Sequence, residues 1–254
     1  MGLLIRSWNL FHGRTAPPGR RAYLEEMIQL ANADQPDILC LQEVPVWAAP
    51  HLEEWSGMAA VADVACTPWL PGRLAKLVTD LHHGVIRGAL TGQANATLVA
   101  PQLRVLEHTQ LVLNPRPLVG ALPRLPLVPE RRICQVVRVE LTDKRTLLVG
   151  NLHTSTDRAA AEAELMRAAA FLEAVAREDE PVVLAGDFNV EGGEASFLAQ
   201  LTSPEWGFSA TGDGIDHVLV RGIASEPLQT WPLERRSENG RVLSDHAPVE
   251  LRIA

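Results

Sequence analysis

Pro181-Val182-Val183-Leu184-Ala185-Gly186-Asp187-Phe188-Asn189 is the stretch on which the fold turns. Its first five residues form a run rich in branched aliphatics, too short for a helix and apolar at every position, which predicts a strand buried on both faces. Gly186 ends the run and polar residues follow at once. The same design recurs twice: Pro36-Asp37-Ile38-Leu39-Cys40-Leu41 leads into Gln42-Glu43, and Leu147-Leu148-Val149-Gly150 leads into Asn151-Leu152-His153. Strands of this kind need partners on both sides, so the chain reads as mixed α/β with chemistry at its strand ends.

Outward from these runs, residues 4–9, 136–141 and 249–253 alternate apolar with polar side chains and are expected to be half exposed, while residues 215–220 form a further short strand. Helices intervene. Asp157 can cap a helix running to Glu178, in which Ala161, Leu165, Ala168, Ala169, Leu172 and Val175 share one stripe. Residues 20–33 predict a second helix with Leu24, Met27, Ile28 and Ala31 facing inward; residues 73–81 and 194–201 predict two shorter ones. The prolines at 115, 117, 123, 126 and 129 forbid helix or central strand over residues 114–129, which should be an extended surface loop.

The strand-like runs continue from Leu3 to Ile253, so residues 1–254 are expected to form one domain. With 46% hydrophobic and 21% charged residues the chain can bury a real core. Cys40, Cys66 and Cys134 are odd in number and widely spaced, which argues against both a disulfide framework and a thiolate metal site. No basic n-region precedes a long apolar stretch, and no run is long enough to span a bilayer, so a cytoplasmic location without stable membrane insertion is expected. The net charge of -8, from 23 Lys+Arg and 31 Asp+Glu, gives no general electrostatic footprint for a nucleic-acid backbone. Acids converging on a cation would neutralise part of it.

The chemistry-bearing residues stand at the predicted strand ends. If the strand stays extended through Asn189, Asp187 and Asn189 point the same way, pairing a water-activating carboxylate with an amide for a developing oxyanion. Ser244-Asp245-His246 sets an acid that can bind a metal or orient a base beside an imidazole that can donate to a phosphoryl oxygen. Asp216 lies among Ile215, Val218, Leu219 and Val220, where a lone carboxylate is costly, so an imidazole such as His246 is its natural partner. Its neighbour His217 points to the opposite face and reads as structural. Glu43 is a hard oxygen donor of the kind Mg²⁺ accepts; Asn9 ends the first strand and can orient Glu43 or a phosphate; His153 ends another and can serve the leaving-group side.

Trp8-Asn9, Leu41-Gln42-Glu43, Asn151-Leu152-His153, Gly186-Asp187-Phe188-Asn189, Ile215-Asp216-His217 and Ser244-Asp245-His246 together resemble the ordered motifs of the endonuclease/exonuclease/phosphatase superfamily, the DNase I-like fold. The motifs span residues 8 to 246. Weaker likeness occurs at Gln93-Ala94-Asn95-Ala96-Thr97-Leu98 and at Glu130-Arg131-Arg132. The resemblance implies a four-layer α/β sandwich, two packed mixed β-sheets flanked by helices. It also implies hydrolysis of a phosphoester with Mg²⁺ or Mn²⁺ held by Glu43, Asn9 and Asp245, and with Asp187, Asn189, His246, His153 and Asp216 as the catalytic set.

The substrate class implied is a phosphoester, small-molecule or nucleic acid, and the sequence indicates no protein partner. A Trp-Cys-Asp-Arg-like stretch, as in the inositol polyphosphate phosphatases of the superfamily, is absent, and Thr211-Gly212-Asp213-Gly214 departs from the approach usual in the abasic-site branch. Aromatics amount to 5%, which leaves few platforms for base stacking. A phosphodiesterase or phosphatase is therefore favoured over a DNA or RNA nuclease. A non-catalytic phospho-ligand binder would have lost Glu43, Asp187 or His246, and all three are present. Arg131, Arg132, Arg235, Arg236 and Arg241 read either as a basic rim or as solvated surface charge.

Overall fold

The computed structural model describes residues 2–19, 21–81, 91–114, 130–192, 197–209 and 214–254. Three clusters of buried apolar residues separate four layers of secondary structure. The middle cluster faces Ile5, Ile38, Cys40, Val99, Val249 and Leu251 of one sheet towards Val137, Val139, Val149, Val183 and Val218 of another. A second cluster packs Trp8, Leu39, Leu41 and Ala96 against helical Leu24, Met27, Ile28 and Ala31. The third packs Val136, Leu148, Leu152, Val182 and Leu184 against helical Ala161, Leu165, Ala168, Ala169 and Leu172. The molecule is thus a helix–sheet–sheet–helix sandwich, as the motifs implied.

Among the described residues the first sheet runs β11 (Gln229–Thr230), β14 (Val249–Ile253), β1 (Leu3–Asn9), β3 (Ile38–Val44), β5 (Gln93–Val99), β4 (Ala59–Cys66). The second runs β10 (Asp216–Arg221), β9 (Val182–Asp187), β8 (Thr146–His153), β7 (Ile133–Glu140), β6 (Arg104–Val112). A small sheet joins β12 (Ser237–Glu238), β13 (Arg241–Leu243) and β2 (Thr15–Ala16). Each large sheet is antiparallel except for one pair, β1 with β3 and β8 with β9. Those pairs are bridged by α1 (Leu24–Asn32) and α4 (Arg158–Val175), because a parallel pair needs a crossover long enough to return the chain. The other helices among the described residues are α2 (Leu52–Ser56), α3 (Gly72–Leu81) and α5 (Leu198–Leu201). None of the described helices is long and apolar enough to cross a membrane.

Helix α4 starts as expected, with the Asp157 carboxylate accepting from Ala160 N at 2.9 Å, but it stops at Val175, where Arg138 Nη2 donates to the last carbonyl at 2.6 Å. Helix α1 begins at Leu24, later than expected. The N–H groups of Ala22 and Tyr23 are committed to Asp80 Oδ1 and Gly13 O, which holds that segment out of the helix. Of the helix expected over residues 194–201, Leu198–Leu201 is present and residues 194–196 lie outside the described part. The proline-rich stretch from Pro115 to Pro129 and residues 211–213 also lie outside it.

The expected half-exposed strands are a correction. Strands β1 and β7 are buried on both faces, and β14 exposes only Arg252. Their polar positions answer to buried ion pairs, not to water. Arg6 is fully buried, donating to Glu250 Oε2 at 2.7 Å and in a fork to both Asp34 oxygens at 2.8 Å, with Trp231 stacked 4.5 Å from its guanidinium. Arg138 donates to Glu180 at 2.8 and 3.1 Å and also pairs with Glu107. Alternation along a strand therefore marked charge buried under the helical layers.

Candidate active site

Strand register sets the row of catalytic candidates. His153, the last residue of β8, is the register partner of Asp187, the last of β9, and Asp187 is in turn the partner of Asp216, the first of β10. On the facing sheet Asn9, the last of β1, pairs with Gln42, and an irregularity in β3 between Leu41 and Val44 leaves Glu43 at φ 51°. Strand ends of both sheets thus meet at one end of the sandwich. Two buried amides tie the layers just behind: Gln42 Nε2 donates to Asn151 Oδ1 at 2.8 Å, and Asn151 Nδ2 donates to Ala96 O at 3.0 Å.

Asn9 is the pivot of the cluster. Its Nδ2 donates to Asp187 Oδ2 at 2.9 Å and to Glu43 Oε1 at 3.3 Å, while its Oδ1 accepts from Phe11 N at 2.9 Å. His153 Nε2 stands 3.5 Å from Asp187 Oδ2 and 3.8 Å from Glu43 Oε1. His246 Nδ1 meets Asp216 Oδ2 at 2.8 Å, and its Nε2 faces Asp187 Oδ2 at 3.7 Å. The 244–246 loop hangs from β1: Ser244 Oγ donates to Asn9 O at 2.7 Å and Trp8 Nε1 to His246 O at 2.9 Å. Asp245 stands at the rim, its side chain 55% exposed and its Oδ1 4.0 Å from His246 Nε2.

Asn189 departs from the expected geometry. The strand ends at Asp187, and Asn189 turns into the left-handed region at φ 47°, its own N–H donated to Asp187 Oδ1 at 3.1 Å. This is an aspartate-headed turn, which competes with continued strand. The Asn189 amide donates to Thr154 O at 3.2 Å, so it adjoins Asp187 through the turn and not by side-by-side projection. His217 is fully buried on the far face, against Val190 O at 2.9 Å and the Phe188 ring at 5.1 Å.

Two groups at this site were not read from the sequence as site residues. His12, in the short turn after β1, is 6% exposed and brings Nε2 to 3.3 Å from Glu43 Oε2. A His-Gly pair immediately after a strand-terminal Asn was the available signal. Arg132, weighed above as rim or surface charge, is 9% exposed and lies 2.9 Å from His153 Nδ1. Of the other arginines, Arg236 reaches the site, donating to Ser244 O at 2.8 Å and His246 O at 3.3 Å, whereas Arg235 pairs with Glu250 and Asp34.

Electrostatics follow from burial. Burial pushes the Glu43 carboxyl up to about 7, against the pull of the Asn9 hydrogen bond and the Arg132 charge. Burial, then the charge of Asp216, pushes Asp187 up to about 6. Burial opposes charge on His246, but the hydrogen bond and charge of Asp216, with Asp187 and Asp245, outweigh it and raise the imidazole to about 9. Burial, then the Arg132 charge, drives His153 well below the usual imidazole range. Arg132 can only donate, and its Nη1 stands 2.9 Å from His153 Nδ1 and 3.2 Å from Nε2, so the guanidinium adds to the cost of a charge on that imidazole.

The donor set fits a divalent cation. Half-buried Glu43 and buried Asp187 are carboxylates joined by a single amide, and Asp216 Oδ1 is buried without a hydrogen-bond partner, so negative charge is under-compensated. Ligand atoms of Asp187, Asp216 and His246 also lie within 4.8 Å of one another. There, however, the Asp216–His246 hydrogen bond already supplies the positive partner.

The family model described as the Endonuclease/Exonuclease/phosphatase family matches residues 7–246. A conserved protein of unknown function from Enterococcus faecalis V583 shares 19% identity and a TM-score of 0.70, over 99% of each chain. The mannosyl-6-phosphatase Bt3783 of Bacteroides thetaiotaomicron VPI-5482 shares 18% identity and a TM-score of 0.67, again over 99% of each chain. Humanized D. rerio TDP2 shares 15% identity and a TM-score of 0.67, over 99% of this chain and 98% of its own. At these identities the likeness is one of fold. No curated protein matches the chain in sequence.

Proposed function

The chain belongs to the endonuclease/exonuclease/phosphatase family, and from that premise we propose that residues 1–254 act as one domain that hydrolyses a phosphoester, of phosphodiesterase or phosphatase type, with Mg²⁺ or Mn²⁺ and an in-line water. The observation that carries this reading is the Asn9 amide, bonded at once to Asp187 and Glu43, with His153 facing both carboxylates and His246 facing Asp187.

Glu43, helped by Asn9 and Asp245, would hold the cation, which when bound supplies Lewis-acid polarisation of a phosphoryl oxygen. Asp187 orients the attacking water and takes its proton; a carboxyl raised to about 6 is a better base near neutral pH than an ordinary aspartate. His246, kept protonated by Asp216, donates from Nε2 to a phosphoryl oxygen as charge builds in the transition state. His153, kept neutral by burial and the Arg132 charge, serves the leaving-group side. Asn189 fixes the turn that aims Asp187 and adds its amide to oxyanion stabilisation.

The decisive experiment is hydrolysis of bis-p-nitrophenyl phosphate and p-nitrophenyl phosphate by wild type and Asp187→Asn, with Mg²⁺, Mn²⁺ or EDTA. Wild-type turnover that requires a cation and falls by ~10²-fold or more in the folded variant is expected. Undiminished turnover by Asp187→Asn would overturn the assignment of roles.

A further inference from the structure

The turn that follows β1 delivers two side chains to the two oxygens of Glu43. Asn9 Nδ2 stands 3.3 Å from Oε1, and His12 Nε2 stands 3.3 Å from Oε2. His12 gets there in a left-handed conformation, φ 53° and ψ 23°, and faces a Glu43 that is itself at φ 51°. Two non-glycine residues held in this region opposite each other indicate surroundings that over-determine them, as at ligand clamps. The turn is fastened to the end of β3 by Leu10 N donating to Gln42 O at 3.0 Å, and closed by Gly13 N donating to Leu10 O at 2.8 Å.

His12 Nε2 and Glu43 Oε2 stand 3.3 Å apart, close enough for the imidazole and the carboxylate to face one cation.

We propose that His12 is a nitrogen ligand of the cation held by Glu43, so that this site selects Mn²⁺, Co²⁺ or a similar imidazole-accepting ion over Mg²⁺. The proposal rests on the reading of Glu43 as a cation ligand. Mg²⁺ prefers oxygen donors, while imidazole nitrogen adds affinity that rises along the first transition row. An all-oxygen site would lack that increment.

The test is calorimetric titration of MgCl₂, MnCl₂ and CoCl₂ into wild type, His12→Asn, His12→Gly and Glu43→Gln, with the visible absorption of bound Co²⁺ as a second readout. Asn and Gly both tolerate positive φ, so the turn is kept while the imidazole goes. The expected result is a loss of at least ~10-fold in Co²⁺ and Mn²⁺ affinity in both His12 variants, a Mg²⁺ affinity changed much less, and a shifted Co²⁺ band. Equal losses for all three ions would make His12 an orienting partner of Glu43 and overturn the proposal, as would an unchanged Co²⁺ to Mg²⁺ ratio. Full cation binding by Glu43→Gln would instead remove the cation site on which the proposed function rests.

Discussion

A Cβ on Gly186 would stand 1.9 Å from the carbonyl oxygen of Leu152, and the residue's φ of 144° is one that L side chains rarely adopt. Gly186 pairs with Leu152 of β8 and leaves no room for a Cβ, and Asp187 follows it directly, so the same glycine lets two strands pair and aims the proposed base. Gly186→Ala should therefore cost about 3 kcal/mol or more by urea denaturation, since the contact is with backbone and one strand must move. It should also lower turnover in whatever fraction stays folded. A variant within 1 kcal/mol of wild type would show that β9 can yield, and the argument for a rigid Asp187 would fail. The turn at Asn189 is a second consequence of this scale: its φ of 47° suits asparagine, and the Asp187 carboxylate takes its N–H, so strand and turn chemistry meet within three residues.

Among the elements, buried ion pairs fasten strands to helices. Glu180 sits before β9 and grips Arg138 of β7, which in turn donates to the final carbonyl of α4. Burial pushes the Glu180 carboxyl up, but the Arg138 hydrogen bond and charge outweigh it and hold the group below the usual glutamate range. A depressed carboxyl stabilises the fold fully above its unfolded value, about 4.3, and that contribution is lost as pH falls through the folded value. Glu180→Gln should thus cost about 3 kcal/mol near pH 7. Measured by denaturant midpoints, the gap between wild type and variant should stay level above pH 5 and shrink towards pH 3. A gap that persists at pH 3 would mean that charge is not what this pair contributes.

The same pairs explain what the sequence could and could not tell. Apolar runs such as Val182–Asp187 and Ile38–Val44 showed themselves because they are buried on both faces. Arg6 and Arg138 looked like solvent positions because a charge in a strand carries no mark of the acid that will cover it. Strand β4, rich in alanine, and the edge strand β6, with mostly exposed or half-exposed side chains, carried too little apolar contrast to be read. Seven of the eight candidate site residues announced themselves at strand ends or as an Asp-His pair, and strand register sets His153, Asp187 and Asp216 in one row. His12 did not, since a turn gives no periodicity from which to infer a facing partner.

At the scale of the whole molecule, the balance of charge bears on which phosphoester the site takes. The chain carries a net charge of -8, so a polyanion meets overall repulsion at long range. Among the described residues the positive groups at the site are few and already engaged: Arg132 with His153, Arg236 with the carbonyls of Ser244 and His246, and His246 with Asp216. These groups can hold one phosphoryl group but do not by themselves make a track for a nucleic-acid backbone, where each neutralised phosphate adds about 0.9 to the salt slope. Duplex DNA should therefore bind Asp187→Asn more weakly than ~10⁻⁴ M at physiological salt, outside the usual range of non-specific binders. Turnover of bis-p-nitrophenyl phosphate by wild type should change less than ~2-fold between 50 and 200 mM NaCl, since the ester carries a single charge, although the screening length falls from about 14 to about 7 Å over that range. Micromolar DNA binding with a log–log salt slope steeper than about -4 would reveal at least four phosphate contacts that this charge distribution does not provide, and would move the substrate from a small ester to a polynucleotide.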